Sequence, residues 1–303
     1  MLSSTVTPSA KRKRFREGLA SGTIQRFPGA FTPLSTRLVQ EKGFEGVYLS
    51  GAVMANELGL PDIGLTTLSE VAARAAQTAS ATDLPVLVDA DTGFGEPMNA
   101  ARTVQALEDA GVAGLHIEDQ VNPKRCGHLD GKDVVDTTAA VRRIRAAVSA
   151  RRDPDLVIMA RTDVRGVAGL DAAIERAKAL QDAGADVIFA EAMASLDEFA
   201  AMRAAVDVPI LANMTEFGKS ELFTVQQLQD VGVNMVIFPV SLLRIAMGAI
   251  ERGLDELAAQ GSLASVVPRM QTRSRLYELV DYAAYGTFDA GVASFDLANN
   301  RSS

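Results

Sequence analysis

The sequence predicts an α/β chain folded as a (β/α)8 barrel of the TIM type, with additional helices after the eighth strand. Three features predict it: eight short apolar runs, a helical pattern after each, and polar side chains gathered where the runs end. The runs fall at 25–31, 45–51, 84–91, 114–120, 156–163, 186–192, 209–215 and 235–241. Most are continuously apolar rather than alternating, the mark of parallel strands covered on both faces. Between them, Ala-rich segments such as 99–110, 137–151 and 172–183 space apolar residues three and four apart, as amphipathic helices do. Ala110-Gly111 and Ala183-Gly184 supply cap glycines ahead of the next strand. Eight such units in 303 residues suit one barrel domain. A doubly wound open sheet is the runner-up. It needs a Gly-rich phosphate turn after its first strand, and RFPGAF at 26–31 is not one. Beyond the eighth strand, 242–260 reads as the closing helix. A C-terminal extension follows over 262–296, with a further helical stretch at 265–284. Residues 1–10 and 297–303 read as polar tails. The run Lys11-Arg12-Lys13-Arg14 reads as a solvated helix start rather than a nuclear-localisation patch.

Composition narrows the function classes. At 48% hydrophobic the chain is no low-complexity disordered protein. Its 38 acidic against 30 basic residues give −8, which argues against a nucleic-acid or membrane-surface binder. No apolar run approaches the roughly 20 residues that cross a bilayer. Cys126 is the only cysteine, which excludes an internal disulfide and fits a reducing cytoplasm. The first 25 residues lack the apolar core of a secretory signal, although their basic start leaves an organellar transit peptide open.

In this fold chemistry sits at the C-terminal ends of the strands. Those ends carry Ser50-Gly51, Asp89 and Asp91, His116 with Glu118 and Asp119, Arg161 with Asp163, Glu191, Asn213 to Thr215, and Ser241 with Arg244 beyond. Asp89 and Asp91, two residues apart, are expected to point to the same face of the strand. Paired carboxylates repel unless a cation or proton lies between them, and oxygen-only ligands favour Mg²⁺ or Mn²⁺ over zinc. An Asx-rich turn before Gly93-Phe94-Gly95 is the plain alternative. Glu118 suits an outer position holding metal-bound water, or a loop salt bridge. After the fourth strand, QVNPKRCGHL at 120–129 sets Lys124 and Arg125 beside Cys126, with His128 beyond. These charges favour the thiolate, and the glycine allows close backbone approach. His116 fits either a satisfied inward histidine or a functional one. Arg161, Arg244 and Arg273 are the anion-binding candidates, since guanidinium binds carboxylates in bidentate fashion.

Together, VDADTGFG at 88–95, LHIEDQ at 115–120, KRCGH at 124–128, MARTD at 159–163, LANMT at 211–215 and MQTR at 270–273 strongly resemble the isocitrate lyase / phosphoenolpyruvate mutase superfamily. The resemblance runs from about 14 to 279. It implies that Asp89 and Asp91 form the Mg²⁺ site and that Cys126 is the catalytic acid. It implies that Ser50, Gly51 and Ala52 hold the pyruvate-like end of the substrate, and that Asp62 is an active-site aspartate. Cys126 with Gly127, Arg161, Glu191, Asn213, Met214, Thr215, Arg244 and Arg273 match the other substrate contacts. Lys124, Glu118 and His128 would stand behind them. Ala52 replaces a glycine usual after Ser-Gly, and Ala190 a proline usual before Glu191. The KRCGH loop separates the lyases from the mutases and decarboxylases. A short chain with Lys-Arg, rather than Lys-Lys, in that loop favours a methylated 2-hydroxy tricarboxylate, cleaved to pyruvate and succinate. The resemblance further implies a homo-oligomer, a tetramer, with C-terminal helices exchanged between subunits. A related lyase acting on isocitrate or a dimethylmalate-type acid, and a non-catalytic carboxylate-binding protein, are the competing readings.

Overall fold

In the computed structural model eight parallel strands form the predicted barrel: β1 (Gln25–Pro28), β2 (Val47–Leu49), β3 (Val86–Asp89), β4 (Gly114–Glu118), β5 (Val157–Thr162), β6 (Val187–Ala190), β7 (Ile210–Asn213) and β8 (Met235–Phe238). The structure describes residues 4–125, 127, 131–218 and 220–294. Each strand from β2 to β8 pairs with its neighbour in sequence, and β8 pairs back to β1. The β1–β2 seam is closed by a single parallel bridge, Gly29 with Tyr48, and by the Ala30 amide donating to the Tyr48 carbonyl at 2.9 Å. Only glycine fits at 29, because a Cβ there would lie 1.9 Å from the Pro239 carbonyl oxygen.

The strands are shorter than the apolar runs because the last residues of each run turn away to build loops and helix caps. Ser50, for instance, caps the helix after β2. The ring of helices comprises α2 (Pro33–Glu41), α3 (Gly51–Glu57), α4 (Leu68–Ser80), α5 (Pro97–Asp109), α6 (Thr137–Ala150), α7 (Val164–Ala168), α8 (Leu170–Asp182), α9 (Leu196–Ala205) and α10 (Val225–Asp230), preceded by α1 (Pro8–Ala20). One core lies between strands and helices, where Val86, Val88, Leu115 and Ile188 meet Val104, Leu107 and Leu180. A second fills the barrel, with Phe27, Leu87, Met159, Leu211 and Met235 stacked above Phe15 of α1. The Phe15 and Phe27 rings lie 4.9 Å apart, so α1 plugs the barrel floor.

That plug corrects two expectations. Residues 4–10 are not a tail: Thr7 caps α1, and Asp83 accepts hydrogen bonds from the Ser4 hydroxyl and the Thr5 amide. Nor is the basic run wholly solvated. Lys11 and Arg12 are buried, with the Lys11 ammonium donating to the Ala79 and Thr82 carbonyls at 2.7 and 2.6 Å. Helix sides facing a barrel floor meet the carbonyl ends of neighbouring helices, and long cations are what those ends attract.

After β8, α11 (Ser241–Gln260) runs as one 20-residue helix without a single buried residue. The predicted stretch at 265–284 is not one helix. It divides into a 3₁₀ turn (Val267–Arg269), α12 (Arg273–Leu279) and α13 (Tyr282–Ala293), broken where Asp281 adopts φ 55°. α12 packs beside α2, where the Arg37 guanidinium donates to the Leu279 carbonyl at 3.2 Å. Among the described residues no helix is long and apolar enough to cross a membrane.

Candidate active site

A cavity of about 250 Å³ opens at the C-terminal ends of the strands. Strand alternation supplies its floor: Tyr48, Asp89, Arg161, Phe189, Glu191 and Asn213 all point inward. Loops and the first turns of α3 and α11 supply the walls through Ser50, Ala52, Asp62, Lys124, Arg125, Gly127, Thr215 and Arg244. A larger cavity of about 750 Å³ lies on the far side of Asp91, between the 63–67 loop and α5, and contains neither Arg161 nor Arg244.

The aspartates converge by a route the sequence reading did not foresee. β3 ends at Asp89, and Asp91 follows it in a left-handed conformation with φ 44°. This turn, not strand alternation, brings the carboxylates together. A Cβ on Gly51 would lie 2.9 Å from Asp89 Oδ2 and 3.1 Å from Asp91 Oδ1, so glycine at 51 makes room for both. The Gly51 amide donates to Asp89 Oδ2 at 3.0 Å, and the Asp91 amide to Asp89 Oδ1 at 3.0 Å. The two groups then titrate apart. Burial raises the Asp89 carboxyl, but His116, Lys124 and Arg161 outweigh it and hold it at about 2. Burial, aided by the Asp89 charge, lifts Asp91 to about 6 against the pull of Lys124. His116 points inward: its Nε2 lies 2.8 Å from the Tyr48 hydroxyl, its buried Nδ1 makes no hydrogen bond to the described residues, and burial lowers it to about 4.

Arg161 is the hub of the cavity. It contacts Asp163 at 3.0 Å, Glu118 at 3.2 Å and Glu191 at 3.6 Å, with its guanidinium 5.2 Å from the centre of the Phe189 ring. Glu118, fully buried, has its carboxyl raised well above the usual range by desolvation, despite Arg161 and Lys124. Asp119 instead faces outward, pairing with Arg176 of α8 at 2.6 Å. Arg244 contacts Glu216 at 2.9 Å and donates to the Thr215 hydroxyl at 3.1 Å. Met214 lies buried beneath the rim, its sulfur accepting from the Phe223 amide at 3.3 Å.

The loop after β4 is pinned at its base by a bridge between Gln120 and Val134. Within it the Lys124 ammonium pairs with Asp62 and, at 2.8 Å, with Asp91. Burial disfavours that charge, but Asp91, Glu118, Asp89 and Asp62 outweigh burial and keep it. Cys126 and His128 lie outside the described residues. Arg273 is not brought to the cavity. It begins α12 on the outer surface, exposed. Sequence reasoning passed over Tyr48 and Phe189, although each stands two residues before a named inward residue and so shares its face. Lys132, far along the loop, gave no local signal.

A family model for phosphoenolpyruvate phosphomutase matches residues 15–258. The chain belongs to that family. Within the family its sequence is 63% identical over 295 residues to "Probable 2-methylisocitrate lyase 2" of Corynebacterium glutamicum, covering 97% of this chain and 96% of that one. It is 46% identical over 275 residues to the 2-methylisocitrate lyase of Escherichia coli, covering 90% and 93%. Among solved structures, oxaloacetate acetylhydrolase with 3,3-difluorooxalacetate superposes with a TM-score of 0.89 at 36% identity, covering 95% of this chain and all of that one. 2,3-Dimethylmalate lyase gives 0.87 at 35% identity, covering 97% and 98%. This family membership agrees with the resemblance carried by the strand-end motifs.

Proposed function

We propose that the protein is a Mg²⁺-dependent 2-methylisocitrate lyase, cleaving a carbon–carbon bond to give pyruvate and succinate, as the methylcitrate cycle of propionate breakdown requires. The observation that carries this reading is one mouth lined by Asp89, Arg161, Arg244 and Lys124 of the loop after β4, with Asp91 joined to it through the Lys124 ammonium at 2.8 Å.

The residues fit a divalent cation. Both Glu118 oxygens accept no hydrogen bond from the described protein atoms, and Asp89 and Asp91 offer the carboxylate oxygens that a hard divalent cation takes. Among the described residues no three side chains form a complete ligand cluster, so water and substrate would complete the shell around Asp89 and Asp91. Mn²⁺ suits the same donors. When bound, the cation polarises the substrate hydroxyl and its neighbouring carboxylate.

The protein's own groups do the rest. Ser50, Gly51 and Ala52 hold the pyruvate-like end. Arg161 and Arg244 bind the remaining carboxylates, and Glu191, Asn213 and Thr215 orient them. As the hydroxyl passes its proton to water, its oxygen becomes the pyruvate carbonyl, and water later returns a proton to the Cys126 sulfur. The electrons of the breaking bond pass to the neighbouring carbon, held as an aci-carboxylate of the succinate fragment. The Cys126 thiol gives that carbon its proton.

The exposed apolar residues of α11 and α13, helices without a fully buried residue in one subunit, support assembly. We place them in a homotetramer with exchanged C-terminal helices. Cytoplasmic location fits the single cysteine. The test is turnover by the purified protein. With 2-methylisocitrate and Mg²⁺ it should release pyruvate and succinate in equal amounts, and excess chelator should stop it. Release of glyoxylate from isocitrate, with 2-methylisocitrate untouched, contradicts the assignment.

A further inference from the structure

The geometry points to Lys132 as a positioning residue that locks the Gly127 peptide and the Arg161 guanidinium into one fixed relation. The inference rests on the lyase reading above and adds to it a residue outside the cavity.

Lys132 is a cation where a cation is costly. Its side chain is 3% exposed, and such a charge persists only when paired and hydrogen-bonded. The Lys132 ammonium has two partners. It donates to the Gly127 carbonyl, and it lies 2.8 Å from Asp163 Oδ1. α7 covers it, so that a Cβ on Gly166 would come within 3.0 Å of Lys132 Cε.

Each partner leads to the cavity. Asp163, fully buried, accepts from Arg161 Nε through Oδ2 at 3.0 Å and from Nη2 through Oδ1 at 3.3 Å. Asp163 is itself fixed, its amide donating to Asp119 Oδ1 at 2.9 Å while Arg176 holds the other Asp119 oxygen. Gly127 rests directly on the same arginine. A Cβ there would lie 2.5 Å from Arg161 Nη2 and 2.4 Å from Glu191 Cγ. The ammonium therefore closes a circuit: Gly127 carbonyl, Lys132, Asp163, Arg161, and back to the Gly127 backbone. Gly127 follows Cys126 in the chain, so what fixes this peptide limits where the thiol's own backbone can go. Lys132 does not line the cavity, which makes its effect indirect.

The test is Lys132→Met in the full-length enzyme. Arg161 keeps Glu118, Glu191 and Asp163 in that variant, so substrate binding should survive while alignment suffers. We expect kcat to fall by about tenfold or more and KM to move by less than about threefold. Cys126 is the only cysteine, and its alkylation by iodoacetamide should quicken about fivefold or more as the peptide is released. Lys132→Arg, which keeps charge and donors, should recover kcat to within about threefold of wild type. A folded Lys132→Met with unchanged kcat and unchanged alkylation overturns the proposal, as does a rise in KM alone. Should that variant fail to fold, Lys132→Gln is read by the same two measurements. If wild type does not cleave 2-methylisocitrate the lyase reading fails, yet the alkylation comparison still judges Lys132, because it needs no substrate.

Discussion

Asp89 and Asp91 were legible as a pair in the sequence, but their geometry was not. A two-residue spacing says that side chains share a face only while the strand lasts. Here the strand stops at Asp89, and a left-handed Asp91 restores the convergence. A left-handed φ at one aspartate is not encoded by a two-residue spacing. The consequence is testable. Asp91→Ala should abolish the metal-dependent rate while leaving the fold intact, and Mg²⁺ titration should show weakened activation. Activity equal to wild type in excess chelator would refute the cation site. Arg161 was legible because a charge ending an apolar strand demands partners, and it has three carboxylates. The role of Cys126 rests on the motif rather than on geometry. Cys126→Ser should bind substrate normally, yet lose about 10²- to 10⁴-fold in kcat, because serine is a far weaker acid. A loss within about threefold would instead make water the acid.

Element by element, the β/α alternation announced itself through continuous apolar runs, and the structure follows it strand for strand. What stayed hidden was α1. Its polar sequence, with four consecutive basic residues, looks solvated, whereas one side of it serves the barrel floor. Arg12 shows why: its guanidinium donates to the carbonyls of Val112 and Glu108 at 3.0 and 2.7 Å and pairs with Asp153 at 2.8 Å. These partners come from two segments far from Arg12 in sequence, at 108–112 and at 153, and only the fold assembles them. Arg12→Ala would strand buried carbonyls and a carboxylate. Urea unfolding should show a loss of about 3 kcal/mol, whereas a loss under about 0.5 kcal/mol would place the guanidinium in solvent. The break in the C-terminal extension was hidden for a related reason. Pro268 marks the early 3₁₀ turn, but left-handed Asp281 divides α12 from α13 with no proline between 273 and 293, so nothing local marks that second break.

For the whole molecule, the outstanding feature is the apolar surface of α11. Ile245, Ile250 and Leu254 are 67%, 51% and 59% exposed, a pattern that calls for a partner. Light scattering at micromolar concentration should give the mass of a tetramer, and Ile250→Glu with Leu254→Glu should reduce it. A monomeric wild type would contradict the exchange of helices. An active site lined from the C-terminal ends of seven strands, β2 to β8, gives the barrel its chemistry, while the substrate's alkyl group decides which lyase it is. Relatives acting on oxaloacetate and dimethylmalate share the fold at 36% and 35% identity, so fold alone does not choose. The most direct measurement is therefore kcat/KM for 2-methylisocitrate set against isocitrate, 2,3-dimethylmalate and oxaloacetate, with pyruvate, glyoxylate and oxalate release followed in the presence of Mg²⁺. One methyl group in an apolar contact is worth about 10- to 200-fold in specificity. The account predicts that 2-methylisocitrate leads by at least about tenfold, with pyruvate as its keto product. Equal or higher kcat/KM for any of the other three acids would contradict it.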